Sequence, residues 1–71
     1  MDKDELLKIR LQSWIYAGVE VELELAEAQF GLKSEPEEKD YWNKSMARSQ
    51  AKLALINNNI ERLEAKVGTT T

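Results

Sequence analysis

Phe30-Gly31-Leu32-Lys33-Ser34-Glu35-Pro36-Glu37 is the stretch that interrupts an otherwise helical pattern. Gly31 can take the left-handed backbone that ends a helix, and Leu32 follows where an apolar residue packs back on the last turn. Ser34-Glu35-Pro36-Glu37 reads as a capping box, in which the Ser34 hydroxyl accepts from the Glu37 amide while the Glu37 carboxylate reaches back. Pro36 fits only a first helical turn. One helix therefore ends and another begins within a few residues, and so short a link makes them antiparallel neighbours.

Outward from this break, each side carries an apolar seam with alternating 3,4 spacing, the signature of a helix with one buried stripe. The N-terminal seam is Leu7, Leu11, Trp14, Gly18, Val21, Leu25, Ala28 and Leu32; the C-terminal one is Trp42, Met46, Ser49, Leu53, Ile56, Ile60, Leu63 and Val67. The expected fold is all-α, a single helical-hairpin domain over residues 1–71 with coiled-coil-like packing. Helix 1 is expected over about 4–30, the turn at 31–34, helix 2 over about 35–66 and a frayed tail at 68–71, Gly68 being the stop. Acidic Asp2, Asp4 and Glu5 at one helix start, and Glu35, Glu37, Glu38 and Asp40 at the other, suit the positive dipole ends. Val19 to Leu25 alternates like a strand, but it lies inside a long helical pattern without flanking turn residues. Asn57-Asn58-Asn59 is poor in helix propensity, yet Ile56, Ile60 and Leu63 hold their phase across it, so helix 2 is expected to be continuous.

With Lys33 and Ser34 as midpoint, facing residues have numbers totalling about 67. The layers are then Leu7 with Ile60, Leu11 with Ile56, Trp14 with Leu53, Gly18 with Ser49, Val21 with Met46, and Leu25 with Trp42. These make up the expected hairpin core, with small Gly18 opposite small Ser49. The same register sets Glu20 near Arg48, Glu24 near Lys44 and Arg10 near Glu61.

Helix 1 carries a second apolar pattern, Ile9, Gln12, Tyr16, Val19, Leu23, Ala26 and Phe30, roughly opposite the first. Helix 2 is mostly polar on its outer side, Tyr41 and Leu55 excepted. A two-helix hairpin covers only one face of helix 1, and a chain of 71 residues without cysteine has little core to spare. The expectation is therefore self-association through Ile9, Tyr16, Val19, Leu23 and Phe30, as a homodimer that completes a four-helix bundle or as a higher oligomer; docking on another protein is the alternative.

No catalytic residues are assigned. The chain has neither His nor Cys to form an activated nucleophile–base pair of the usual kind, Ser13, Ser34, Ser45 and Ser49 read as cap, surface or small core residues, and the carboxylates Glu20, Glu24 and Glu27 read as a solvated helical face. No metal or cofactor is expected: only hard carboxylate ligands remain, and the glycines are isolated rather than gathered in a phosphate loop. A net charge of −3 argues against a phosphate-backbone binder. Lys44, Arg48 and Lys52 at i, i+4, i+8, with Arg62, form the one basic strip that could contact nucleic acid or a small anion in an oligomer groove. Met1-Asp2-Lys3-Asp4-Glu5 lacks the basic-then-apolar order of a secretory leader, and charges interrupt every apolar run. The expected protein is thus a cytoplasmic, non-enzymatic interaction module, adaptor or regulator, without membrane contact.

Overall fold

The computed structural model describes residues 2–69, with helix α1 over Lys3–Ser34, a single 3-10 turn over Pro36–Glu38 and helix α2 over Lys39–Thr69. The two long helices pack side by side into a rod with extents of 52 × 16 × 13 Å. The fold is an all-helical hairpin, and no strand occurs among the described residues. Val19 to Leu25 is helical, and α2 runs without interruption through Asn57-Asn58-Asn59.

The start of α1 is held by Asp2. Its backbone is extended, at φ −84° and ψ 173°, and its Oδ1 accepts from the Glu5 amide at 2.8 Å. This is an N-cap bond that satisfies one of the amides a helix start leaves without an intrahelical acceptor.

The end of α1 departs from expectation. Gly31 does not stop it, no described glycine has positive φ, and the helix runs one turn farther, to Ser34. The break falls on Glu35, at φ −131° and ψ 68°. The cause is Pro36, whose ring disfavours the helical region for the residue before it. Glu35 still donates its amide to the Gly31 carbonyl at 2.8 Å, closing the last turn of α1, and its own carbonyl accepts from the Glu38 amide at 2.9 Å. Ser34 therefore belongs to α1, and the expected capping box does not form: the residue before the 3-10 turn is Glu35, which makes no side-chain cap bond. Pro36 does lie in a first turn, that of the 3-10 segment. At the other end α2 continues through Gly68 to Thr69 rather than stopping near residue 66. Of the expected frayed tail, residues 70 and 71 lie outside the described residues.

What Gly31 does instead is make room. A Cβ built there would overlap Cε2 and Cδ2 of the Trp42 indole. The ring thus lies on bare backbone. Its Nε1 donates to Glu35 Oε1 at 3.1 Å, and Tyr41 meets it edge-on with centroids 4.9 Å apart. Gly31, Glu35 and Trp42 together form a clasp at the hairpin corner.

The corner is centred on the Glu35–Glu38 turn rather than on Lys33–Ser34, and the register is displaced by one heptad. Gly18 faces Ile56, whose Cγ2 is 3.5 Å from the position of an added Cβ, and not Ser49, seven residues earlier. Trp42 meets Gly31 rather than Leu25. Glu24 pairs with Lys52, Nζ to Oε2 at 3.5 Å, rather than with Lys44. Arg10 lies with Arg62, Leu63 and Lys66 rather than being paired with Glu61; among the described residues the one ion pair within 4.0 Å is Lys52–Glu24. Ser49 shares its surroundings with Glu24. Because the shift is a whole heptad, seam still meets seam.

The core is thin. Val21, Ala28, Ile56 and Ser49 are buried along with Gly18 and Gly31, and no large side chain among the described residues is fully buried. Leu11, Leu25, Trp42, Met46, Leu53 and Ile60 are half-buried. Trp14, at 36% exposure, sits at the edge of the seam.

Candidate interaction surface

Successive residues of an α-helix advance by about 100° and 1.5 Å. On that lattice Ile9, Tyr16, Val19, Leu23 and Phe30 fall within a sector of about 80°, roughly opposite the seam, and extend over about 30 Å of α1. All five are exposed: Ile9 50%, Tyr16 62%, Val19 51%, Leu23 66% and Phe30 70%. Leu6 and Ile15 flank the stripe and are exposed as well. Apolar groups on opposite sides of α1 nearly cancel around its axis, whereas α2 is apolar on one side. The outer side of α2 contributes Tyr41 and Leu55 as exposed large apolar residues.

Polar groups within the N-terminal part of the stripe are occupied by their own helix. Gln12 Nε2 donates to the Tyr16 hydroxyl at 3.3 Å, and the Ser13 hydroxyl donates to the Ile9 carbonyl at 3.1 Å. This leaves the Ile9 side chain and the Tyr16 ring facing outward beside a shallow, mostly apolar depression of about 270 Å³ with Lys8 on its rim.

The basic strip of α2 is divided. Arg48 and Lys52 line a depression of about 180 Å³ with Glu24, Glu27, Tyr41, Trp42, Ser45 and Ser49, so α1 carboxylates neutralise that section. Lys44 is exposed. Arg62 lies 14 residues beyond Arg48, about 21 Å along the axis, in a second depression of about 180 Å³ lined by Arg10, Trp14, Asn59, Leu63 and Lys66. This second grouping was not foreseen. Its members become neighbours only when the corner is centred on the Glu35–Glu38 turn; the readable signal is that Arg10 and Glu24 occupy equivalent heptad positions with opposite charge.

No helix among the described residues is long and apolar enough to cross a membrane. No family model matches the chain, and no curated protein or solved structure shows significant similarity to it.

Proposed function

We propose that this protein is a small cytoplasmic, non-enzymatic interaction module that works as a homo-oligomer, two hairpins joining through the outer face of α1 into a four-helix bundle. One observation carries the reading: five large apolar side chains along α1 are each at least 50% exposed on the side that α2 leaves uncovered. Area points the same way. The chain exposes 5496 Å², whereas a compact monomer of its mass exposes about 4,500 Å². That difference is of the order of the ~800 Å² each partner contributes to a standard interface. A second copy is the simplest occupant, because one stripe on a two-fold axis covers another with the same surface. The role that follows is that of an adaptor or regulator presenting helical surface. A nucleic-acid-binding bundle is the weaker reading, because Lys52 is paired with Glu24 and Arg48 shares its depression with Glu24 and Glu27.

Sedimentation equilibrium across micromolar concentrations tests the proposal. The mass should be a multiple of 8.2 kDa. Leu23→Asp, which would place an unpaired charge in the interface, should reduce it to that of one chain. A wild-type protein that remains a single chain at high micromolar concentration would exclude self-association.

A further inference from the structure

Beyond self-association, the geometry points to a binding site for a small phosphorylated molecule at the open end of the hairpin, with Arg10 and Arg62 holding the phosphate and the Trp14 indole walling a flat ring beside it. The inference stands on different residues from the α1 stripe, so neither proposal depends on the other.

Heptad equivalence supplies the argument. On α1, Glu24, Ala17 and Arg10 occupy the same position of successive heptads; on α2, Lys52, Asn59 and Lys66 do so, with Arg48 and Arg62 on the same edge. Where Glu24 meets Lys52 the groove is neutralised by an ion pair at 3.5 Å. Two heptads along the same groove, the α1 member has become Arg10, and the α2 members beside it are Arg62 and Lys66. Neither Arg10 nor Arg62 has a carboxylate within 4.0 Å among the described residues. Acidic residues outnumber basic ones in this chain, 13 to 10, so composition does not force like charges together. Bringing the Arg10 and Arg62 guanidiniums into one depression without an anion is unfavourable, and a bound dianion reverses the sign.

The chemistry of the donors narrows the ligand. Two guanidiniums offer planar forks that match phosphate oxygens bidentately. Asn59 lines the same depression and carries a neutral amide that can donate or accept. Trp14, 36% exposed, presents an aromatic surface suited to a heterocycle. The depression, about 180 Å³ and open to solvent, suits part of a nucleotide-sized molecule rather than a bare ion.

The experiment is a titration of the ¹⁵N-labelled protein with adenosine 5′-monophosphate and with ribose 5-phosphate at constant ionic strength, following the Trp14 indole and the Arg side-chain N–H resonances. Saturable shifts at Trp14, Arg10 and Arg62 are expected, with the nucleotide binding at least about fivefold tighter than the sugar phosphate because of stacking. Arg10→Gln/Arg62→Gln should weaken binding by about tenfold or more, and Arg62→Lys, which keeps the charge but loses the fork, by an intermediate factor. These positions are at the surface, so an unchanged amide spectrum elsewhere verifies the fold. No saturable shift up to about 10 mM ligand, a range that reaches millimolar dissociation constants, would overturn the proposal. Binding undiminished in the double variant, or equal for the two ligands, would do so as well.

Discussion

Replacing Gly31 by Ala sets two opposing effects on one methyl group. Inside a helix Ala is favoured over Gly by about 1 kcal/mol, because Gly loses more backbone freedom on folding. At Gly31 the new Cβ lands inside the Trp42 indole, and overpacking of this kind costs about 1–3 kcal/mol. Displacing the ring also weakens its bond to Glu35, an exposed contact at 3.1 Å worth at most about 1 kcal/mol. The net expectation is destabilisation of about 1–2 kcal/mol, a fall in Tm of roughly 5–15 °C for a domain of this size. Gly18→Ala is the control. Its Cβ would lie 3.5 Å from Ile56 Cγ2, an ordinary contact, so the propensity term wins and Tm should rise by roughly 4–8 °C. Thermal and urea melts followed by circular dichroism measure both, at one protein concentration because association contributes to apparent stability. A third measurement isolates the cause. In a Trp42→Ala background the obstruction is gone, and Gly31→Ala should become stabilising, a reversal of sign that only direct coupling produces. If Gly31→Ala stabilises the wild-type protein as Gly18→Ala does, the indole does not rest on Gly31 and the assigned register loses its anchor.

Three further outcomes follow from the contacts described. Asp2→Ala removes the cap bond to the Glu5 amide and should cost about 0.5–2 kcal/mol, with faster amide exchange confined to the first turn of α1. Lys52→Ala breaks the ion pair with Glu24, but both side chains are about half exposed, so melts should move by no more than about 0.5 kcal/mol. Leu23→Asp should both reduce the sedimenting mass and abolish the concentration dependence of the melting temperature, since a chain that no longer associates melts at one temperature whatever its concentration.

The helical hairpin and the two-faced character of α1 were legible because they rest on periodicity, which survives small errors in where elements begin and end. The corner was not. Gly31 looked like a helix stop because glycine at such a place usually is one, whereas the competing signal, the constraint Pro36 imposes on Glu35, acts one residue upstream of the proline. Ser34 has the neighbours of a capping box, but a Ser still inside α1 is unavailable to cap α2. The charge of Asp2 is legible as favourable at a helix start; its role as a hydrogen-bonded cap depends on an extended backbone that charge alone does not imply. The spacing of Trp14 predicts a core position, yet in a two-helix rod the residue stays 36% exposed. The second basic grouping, Arg10 with Arg62 and Lys66, comes together only in the observed register, one heptad from the alignment that Gly31 and Ser34 suggest.

The ambiguity of register has a physical origin. A seam of period seven on both helices matches itself again after a slide of one heptad, so apolar pairing cannot distinguish Gly18 opposite Ser49 from Gly18 opposite Ile56. Charge pairing does distinguish them, and for Arg10 it favours the alignment that the protein does not adopt, since that one offers Glu61 as partner. Magnitudes decide the contest. Exposed ion pairs on such a surface contribute a few tenths of a kcal/mol each. Seating the Trp42 ring on the backbone of Gly31 removes a large aromatic surface from water, an effect of order 1.5–3 kcal/mol for a large side chain in full and a good part of that here. The proline-imposed corner acts in the same direction. The clasp therefore sets the alignment, and the unfavourable electrostatics it leaves are concentrated at the far end, where two guanidiniums share one depression. On this argument the packing at the closed end of the hairpin creates the charge at the open end. Gly31→Ala, if it lets the helices slide back by a heptad, should weaken phosphate binding at Arg10 and Arg62 from about 30 Å away without altering any residue of that site.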